Sequence, residues 1–352
     1  MKKSVAILMA MVLALGLLAG CSGEPVSTPS TAATEAPAST EAPASAAAVK
    51  TGLYVGASVS ESKSAAAEEN GQAKFDVTLV AVTVSDEGVI ESCVIDSIPA
   101  TVKFDASGVI TSDISADVPT KNELGDSYGM KAYAGSKYEW NEQVAALAAY
   151  AVGKTVEELK NGAVDETGHA ADADLASTAT IYLGGYVSAI EAAVNNAQHL
   201  GASSGDRLVL ASLNSVGSSK NAEGDKAGTA QLDADVTAVT MNDGVITSCY
   251  IDSLQAKVNF DAAGTITTDL SAPILTKNEM GEGYGLKAYA GSKYEWNEQA
   301  AAFAAYVTGK TAQEVAGIAV NEKTAPADAD LAATVTISIA GFQALIAKAA
   351  AQ

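Results

Sequence analysis

The chain has 352 residues, 48% of them hydrophobic but only 5% aromatic, and 42 acidic against 21 basic side chains leave a formal net charge of −21 at pH 7. So acidic a surface disfavours nucleic acid and anionic lipid headgroups as partners and favours cations, basic protein faces and colloidal solubility. With two histidines, no metal-ligand cluster and no Walker or dinucleotide glycine fingerprint, histidine-centred acid–base chemistry is not expected.

The first residues, MKKSVAILMAMVLALGLLAGC, carry Lys2 and Lys3, then an apolar run too short to span a bilayer, then small residues. This is the pattern of an export signal covering residues 1–20. Leu18-Ala19-Gly20-Cys21 resembles the bacterial lipobox, in which the signal is cut before the cysteine and lipid is attached to its thiol. The mature chain is then expected to begin at Cys21, to lose two lysines and reach a net charge of −23, and to be lipid-anchored on the extracellular face of the cell membrane. Residues 21–50, after the lipidated cysteine, are rich in Ser, Thr, Ala and Pro and lack the branched and aromatic residues that offset ordering entropy. They read as a disordered stalk.

Beyond the stalk one domain is written twice, over 51–200 and 201–352. The nine letters GSKYEWNEQ of Gly135–Gln143 return at Gly291–Gln299, an offset of 156 that holds from Gly88 and Gly244 to Asp174 and Asp330. Upstream the register slips by one, because Asp86-Glu87-Gly88 answers Asp243-Gly244 in a turn that tolerates insertion. Period-2 alternation predicts strands over Phe75–Val84 and Val89–Asp96, and a second hairpin of Ala100–Phe104 with Val109–Ser112. The glycine-rich stretch Lys121–Met130 is expected to be loop. From Tyr138 the apolar spacing becomes helical, with Trp140, Val144, Leu147, Ala148 and Ala151 on one face and a stop at Gly153. Thr155-Val156-Glu157-Glu158 is a capping box. Thr178–Leu183 reads as a strand or as the first turn of a closing helix over Val187–Ala197. Strands followed by helices make the fold class α+β: two tandem copies of an antiparallel-hairpin sheet packed with helices. Cys93 and Cys249 hold equivalent places in alternating segments and are read as buried, apolar and unbridged.

The feature present in both copies that points to chemistry is Asp172–Thr180, DADLASTAT, answered by Asp328–Thr336, DADLAATVT. It resembles the D-x-x-[ST]-G-A-[TS] signature of FMN-binding domains, in which a flavin transferase joins FMN through its phosphate to the last hydroxyl. The chain departs from that signature at Thr178 and Thr334, where the signature has glycine, and at Ala333 and Val335 in the second copy. Together with the lipobox, the stalk, the DGVI-type hairpins and the KNELG and KNEMG loops, it resembles the extracellular electron-transfer flavoprotein lipoproteins of Gram-positive bacteria over roughly residues 50–352. The resemblance implies covalent FMN on Thr180 and Thr336, with Asp174 and Asp330 as the acid of the motif. It also implies electron entry from a membrane NADH or quinol dehydrogenase system and exit to soluble extracellular acceptors, with no substrate transformed. Tyr128 and Trp140, repeated as Tyr284 and Trp296, are the expected stacking surface for the ring, although residues of this type also serve as plain core. Read without the resemblance, DADLASTAT describes an amphipathic strand with threonines facing water, and the chain a flavin-free surface lipoprotein that binds a ligand, a cell-wall polymer or a protein.

Overall fold

Six strands, β1 (Lys50–Ser58), β2 (Gly71–Val84), β3 (Ile90–Phe104), β4 (Arg207–Ser215), β5 (Gly228–Asn242) and β6 (Val245–Phe260), pair antiparallel in the computed structural model, which describes residues 46–352. They form two sheets of three, ordered β1-β2-β3 and β4-β5-β6. Each sheet is followed by short helices and by two long ones, Trp140–Ala151 and Gly184–Asn195 in the first half, Trp296–Val307 and Ala340–Ala350 in the second. The expected mixed α+β class holds. The export signal, Cys21 and the stalk up to residue 45 lie outside the described residues; Ala47 and Val49 already hydrogen-bond to the segment 202–204.

The strand pattern explains the layering. Along β2 the row Ala73, Phe75, Val77, Leu79 and Ala81 is buried against the other sheet, while Val80, Val82 and Val84 on the opposite face are buried under the helices of their own half. Strand β5 repeats this with Ala230, Leu232, Ala234, Val236 and Ala238 inward and Val239 and Met241 outward. A sheet apolar on both faces needs a partner on each, so the two sheets share a central core and the helices close the outside.

At the centre the rings of Phe104 and Phe260 stack with centroids 4.0 Å apart and 2° between their planes. Reciprocal bonds flank them. Ala65 N donates to Gly264 O and Ala222 N to Gly108 O, both at 2.8 Å; Ile110 N donates to Asn221 Oδ1 and Ile266 N to Ser64 Oγ. These four bonds are reciprocal between the halves, the self-complementary pattern of a two-fold interface. Gly264 takes φ +68° here, and a Cβ on it would lie 2.5 Å from Asp105 O, so the close approach requires glycine.

Several sequence expectations are corrected. Strands β1 and β4 were not anticipated: their small and polar residues weaken the alternation signal, and pairing to β2 and β5 creates them. β3 runs unbroken through Ile90–Phe104, and the second hairpin keeps its turn and a short pairing, with Asp105 N donating to Val109 O, Thr111 N to Lys103 O and a bridge at Phe104–Ile110, while Val109–Ser112 does not extend into a strand. The stretch Lys121–Met130 is not loop: it holds a helix at Lys121–Leu124, a 3-10 turn at Gly125–Tyr128 and the start of a helix at Met130–Ala134. Thr120 caps the first of these with a capping box to Glu123. Thr178–Leu183 is neither strand nor helix start; Thr178 ends a short helix, Ala173–Thr178, and the closing helix begins at Gly184. The helix Trp140–Ala151 and the capping box at Thr155 form as expected.

Candidate functional site

The repeated nonapeptide is a bracket. Its glutamate, Glu139, is buried and accepts from Met130 N at 2.7 Å and Lys131 N at 3.1 Å. It also starts the long helix, whose Glu142 accepts from Glu139 N. Gln143, fully buried, donates through Nε2 to Tyr138 O and Ser136 Oγ. Its Oε1 accepts from Thr180 N at 2.8 Å, Ile181 N at 3.1 Å and Thr180 Oγ1 at 3.2 Å. The second half reproduces this: Glu295 takes Leu286 N and Lys287 N, and Gln299 Oε1 takes Thr336 N, Ile337 N and Thr336 Oγ1. One helix thus pins a glycine-rich segment on one side and the threonine loop on the other, which explains why these letters are identical in both copies.

Between these two segments the first half holds a cavity of about 560 Å³, within the range of small-molecule sites. Its aromatic wall is Tyr54, Tyr128, Trp140 and Tyr186, with Ile181 at the threonine loop. Trp140 Nε1 donates to Tyr186 Oη at 3.0 Å, and Lys121 Nζ stands 5.0 Å and 4.9 Å from the Tyr128 and Trp140 ring centres. The floor of the cavity is the polar end of the helix-facing row of β2, Asp76 and Thr78. Gly56 makes room: a Cβ there would sit 2.1 Å from Tyr54 Oη.

In the second half the same place is filled. Leu213 stands opposite Asp235 as Gly56 stands opposite Thr78, while Phe342 replaces Tyr186 and Leu345 replaces Ala189. All three pack into the second core, with Leu345 fully buried. Trp296 meets the Phe342 ring edge-on at 5.9 Å, and Lys277 Nζ lies 5.3 Å and 4.8 Å from the Tyr284 and Trp296 ring centres. Burial lowers the pKa of Lys277 against the opposing pull of Asp235, Asp233 and Asp252. Burial, followed by its contact with Tyr289, pushes the Tyr284 phenol up to about 12.

The structure therefore brings Tyr128 and Trp140 together at a cavity, and Tyr284 and Trp296 together in packed core. Thr180 and Thr336 are both exposed, and each hydroxyl is bound to its glutamine. Thr180 does not itself line the cavity; its neighbours Ile181 and Tyr182 do. Asp174 and Asp330 are exposed, and the carboxylates that act locally are Asp172 and Asp328, which cap their short helices by accepting from the amides two and three residues on. Sequence reasoning passed over Lys121, Gln143, Tyr54 and Tyr186. Gln143 was detectable as the last letter of the repeated nonapeptide; Tyr54 lay on a strand with no clear period.

The asparagine of the KNEL and KNEM segments is a latch. Asn122 Nδ2 donates to Ile95 O and its N–H to Asp96 Oδ1; Asn278 does the same to Ile251 O and Asp252 Oδ1. Burial raises both aspartates, Asp252 to about 6, against the lowering effect of these bonds. A carboxyl whose folded value lies above the ordinary 3.8 contributes stability that is complete below about pH 4 and lost as pH rises through 6, in total about 3 kcal/mol. Asp252→Asn keeps the Oδ1 acceptor and removes the titration. It will raise the urea midpoint at pH 7.5 and leave it nearly unchanged at pH 4; equal shifts at both pH values would contradict this origin.

Cys249 is buried as expected, whereas Cys93 is partly exposed; both are free. Burial pushes each thiol up to about 12. At pH 8 Cys249 will react with Ellman's reagent far more slowly in the folded protein than in urea, and more slowly than Cys93; a Cys249→Ser variant that removes the fast phase instead of the slow one would contradict this order.

Among the described residues no helix is long and apolar enough to cross a membrane, and no group of three or more His, Cys, Asp or Glu side chains is placed to hold a metal ion. The chain matches no protein-family model, no curated protein and no solved structure.

Proposed function

We propose that this chain is a lipid-anchored, extracellular electron carrier that holds FMN on Thr180 of its first half. The observation that carries the reading is the aromatic cavity beside an exposed threonine that Gln143 presents on a braced loop. The motif resemblance supplies the cofactor, and the cavity fits it: Tyr54, Tyr128, Trp140 and Tyr186 offer flat apolar surface, and Lys121 offers positive charge. When bound, FMN supplies one- and two-electron redox chemistry. Covalent attachment suits a cofactor outside the cell, because one held by contacts alone is diluted away whenever it dissociates. The chain's own residues then orient the ring and shield it from water, and the acidic surface disfavours the anionic reduced form, which lowers the potential. The partners in this reading are a flavin transferase, a membrane NADH or quinol dehydrogenase that delivers electrons, and soluble acceptors that remove them.

The second half does not offer the same room, since Leu213, Phe342 and Leu345 occupy it. Modification is therefore expected at Thr180 and not at Thr336. The test is intact-mass and peptide mass spectrometry after expression beside an active flavin transferase. One FMN ester per chain, abolished by Thr180→Ala and retained in Thr336→Ala, is the expected result. An intact chain weighing only its polypeptide and acyl groups would overturn it.

A second reading is favoured by one detail: the Thr180 hydroxyl already donates to Gln143 and lies outside the cavity lining. In that reading the cleft takes a ligand noncovalently, with Asp76, Thr78 and Lys121 as its polar contacts, and the protein is a flavin-free surface lipoprotein. The same mass measurement separates the two.

A further inference from the structure

We propose that the second half carries a separate small-molecule site, walled by β6, the helix Trp296–Val307 and the segment joining the two halves, which takes a planar aromatic ligand bearing an N–H or O–H donor. The inference is independent of the reading at Thr180 and involves different residues.

The cavity measures about 490 Å³. Its floor is Cys249, Tyr250 and Ile251 of β6, and one wall is the helical stripe Ala301, Ala304 and Thr308, whose short side chains leave the space open. The other wall is Gln198, His199 and Leu200. That wall is fastened down. Gln198 exchanges both backbone hydrogen bonds with Thr51, at 2.8 and 3.0 Å, and Val49 N donates to Ala202 O. His199 Nε2 lies 3.0 Å from Asp86 Oδ1, which Lys50 also contacts at 3.0 Å. Asp86 belongs to the hairpin turn of the first half, so these bonds fix the joining segment to the first half, while Gln198 Nε2 reaches across to Tyr250 Oη at 3.4 Å.

Into this region the structure places Asn297, whose Oδ1 is buried and has no hydrogen-bond partner, a state that the equivalent Asn141 Oδ1 of the first half shares. A buried acceptor without a donor is costly, and most are satisfied in native proteins. The remaining surroundings select the ligand. Tyr250 bounds the slot where its hydroxyl accepts from Gln198 Nε2 at 3.4 Å, the alanines keep the slot narrow, flat and apolar, and the lining contains no Lys or Arg to receive an anion. The Cys249 thiol stays protonated and acts as a soft apolar surface.

The first half serves as an internal comparison. The groove beside Cys93 has the same asparagines, Asn122 and Asn141, and the same alanines, Ala145, Ala148 and Ala149. It carries Val94 in place of Tyr250 and Val152 in place of Thr308, and among the described residues no joining segment walls it. The two copies have diverged in opposite directions: the first keeps its cavity at the tryptophan and a bare groove at the cysteine, the second fills the former and encloses the latter.

The test uses indole as probe, with 1-methylindole as the same shape lacking the donor, titrated into the full chain and followed by calorimetry and by amide shifts. Saturable one-to-one binding of indole with shifts at Leu200, Ala304 and Thr308 is expected, with 1-methylindole about tenfold weaker. Ala301→Phe, at an exposed rim position, will abolish binding without changing the thermal midpoint. Asn297→Leu will erase the difference between the two probes. Absence of saturable binding, equal affinity of the two probes for the unaltered chain, or undiminished binding in Ala301→Phe would each overturn the proposal, leaving water as the partner of Asn297.

Discussion

Phe260→Ala will destabilise the protein by about 3–5 kcal/mol and lower its melting temperature by roughly 10 °C. Phe260 is fully buried, stacked on Phe104, at the point where both sheets and both halves meet. Truncation removes a ring from a site that cannot collapse, because the glycine beside it has no side chain to move in: a Cβ on Gly228 would lie 2.3 Å from the Phe260 ring. The cost is the transfer of the ring plus the cavity left behind. Because Phe104 loses its stacking partner in the same step, a double-mutant cycle between the two will show a coupling of about 0.5–1.5 kcal/mol beyond additivity. Tyr133→Ala, at a side chain 91% exposed, is the control and will stay within about 0.5 kcal/mol. Urea unfolding with a single transition, shifted for Phe260→Ala and not for Tyr133→Ala, is the measurement. An unshifted midpoint for Phe260→Ala, or two transitions in the unaltered protein, would mean that the halves do not share a core.

The second large effect is expected at the bracket. Gln143→Ala removes the common acceptor of Thr180 N, Ile181 N and Thr180 Oγ1 and the donor to Tyr138 O. Net losses of about 1 kcal/mol per bond, with water replacing the acceptor at the exposed Thr180, give about 2–4 kcal/mol. Hydrogen exchange at residues 178–183 will accelerate more than exchange in β2, because the loop loses its tether while the sheet is untouched. Gln143→Glu keeps the acceptor oxygens and loses the donor, so it will restore slow exchange in the loop only in part and will cost stability as pH rises and the buried carboxylate ionises. If Thr180 carries FMN, Gln143→Ala will also lower the modified fraction. Gln299→Ala will loosen its own loop equally and leave that fraction unchanged. Equal loss of modification in both variants would place the flavin elsewhere.

Much of the architecture is visible in the letters. The exact return of GSKYEWNEQ marks the duplication, the period-2 rows of β2 and β5 mark strands, and Trp140, Val144, Leu147 and Ala151 mark a helix face, because these depend on neighbours within a few residues. The Lys121–Met130 stretch misled because its glycines hide a capping box at Thr120, a signal set by only two residues. β1 and β4 were illegible for a different reason: Gly52 and Gly56, or the polar Ser212 and Asn214, interrupt the pattern, and they become strands only by pairing with residues 18 or more positions away.

The sequence by itself determined that one unit occurs twice, that each is strand then helix, and that a threonine follows an acidic cap in both. Only the tertiary structure decided that the two sheets close on a single Phe104–Phe260 core, that Gln143 and Gln299 hold those threonine loops, and that the halves differ in which cavity they keep. The reason is physical. Whether a cavity is open depends on the summed volume of side chains brought together from β1, β2 and the closing helix, and substitutions as ordinary as Gly56 against Leu213 or Ala189 against Leu345 change it without disturbing any local pattern.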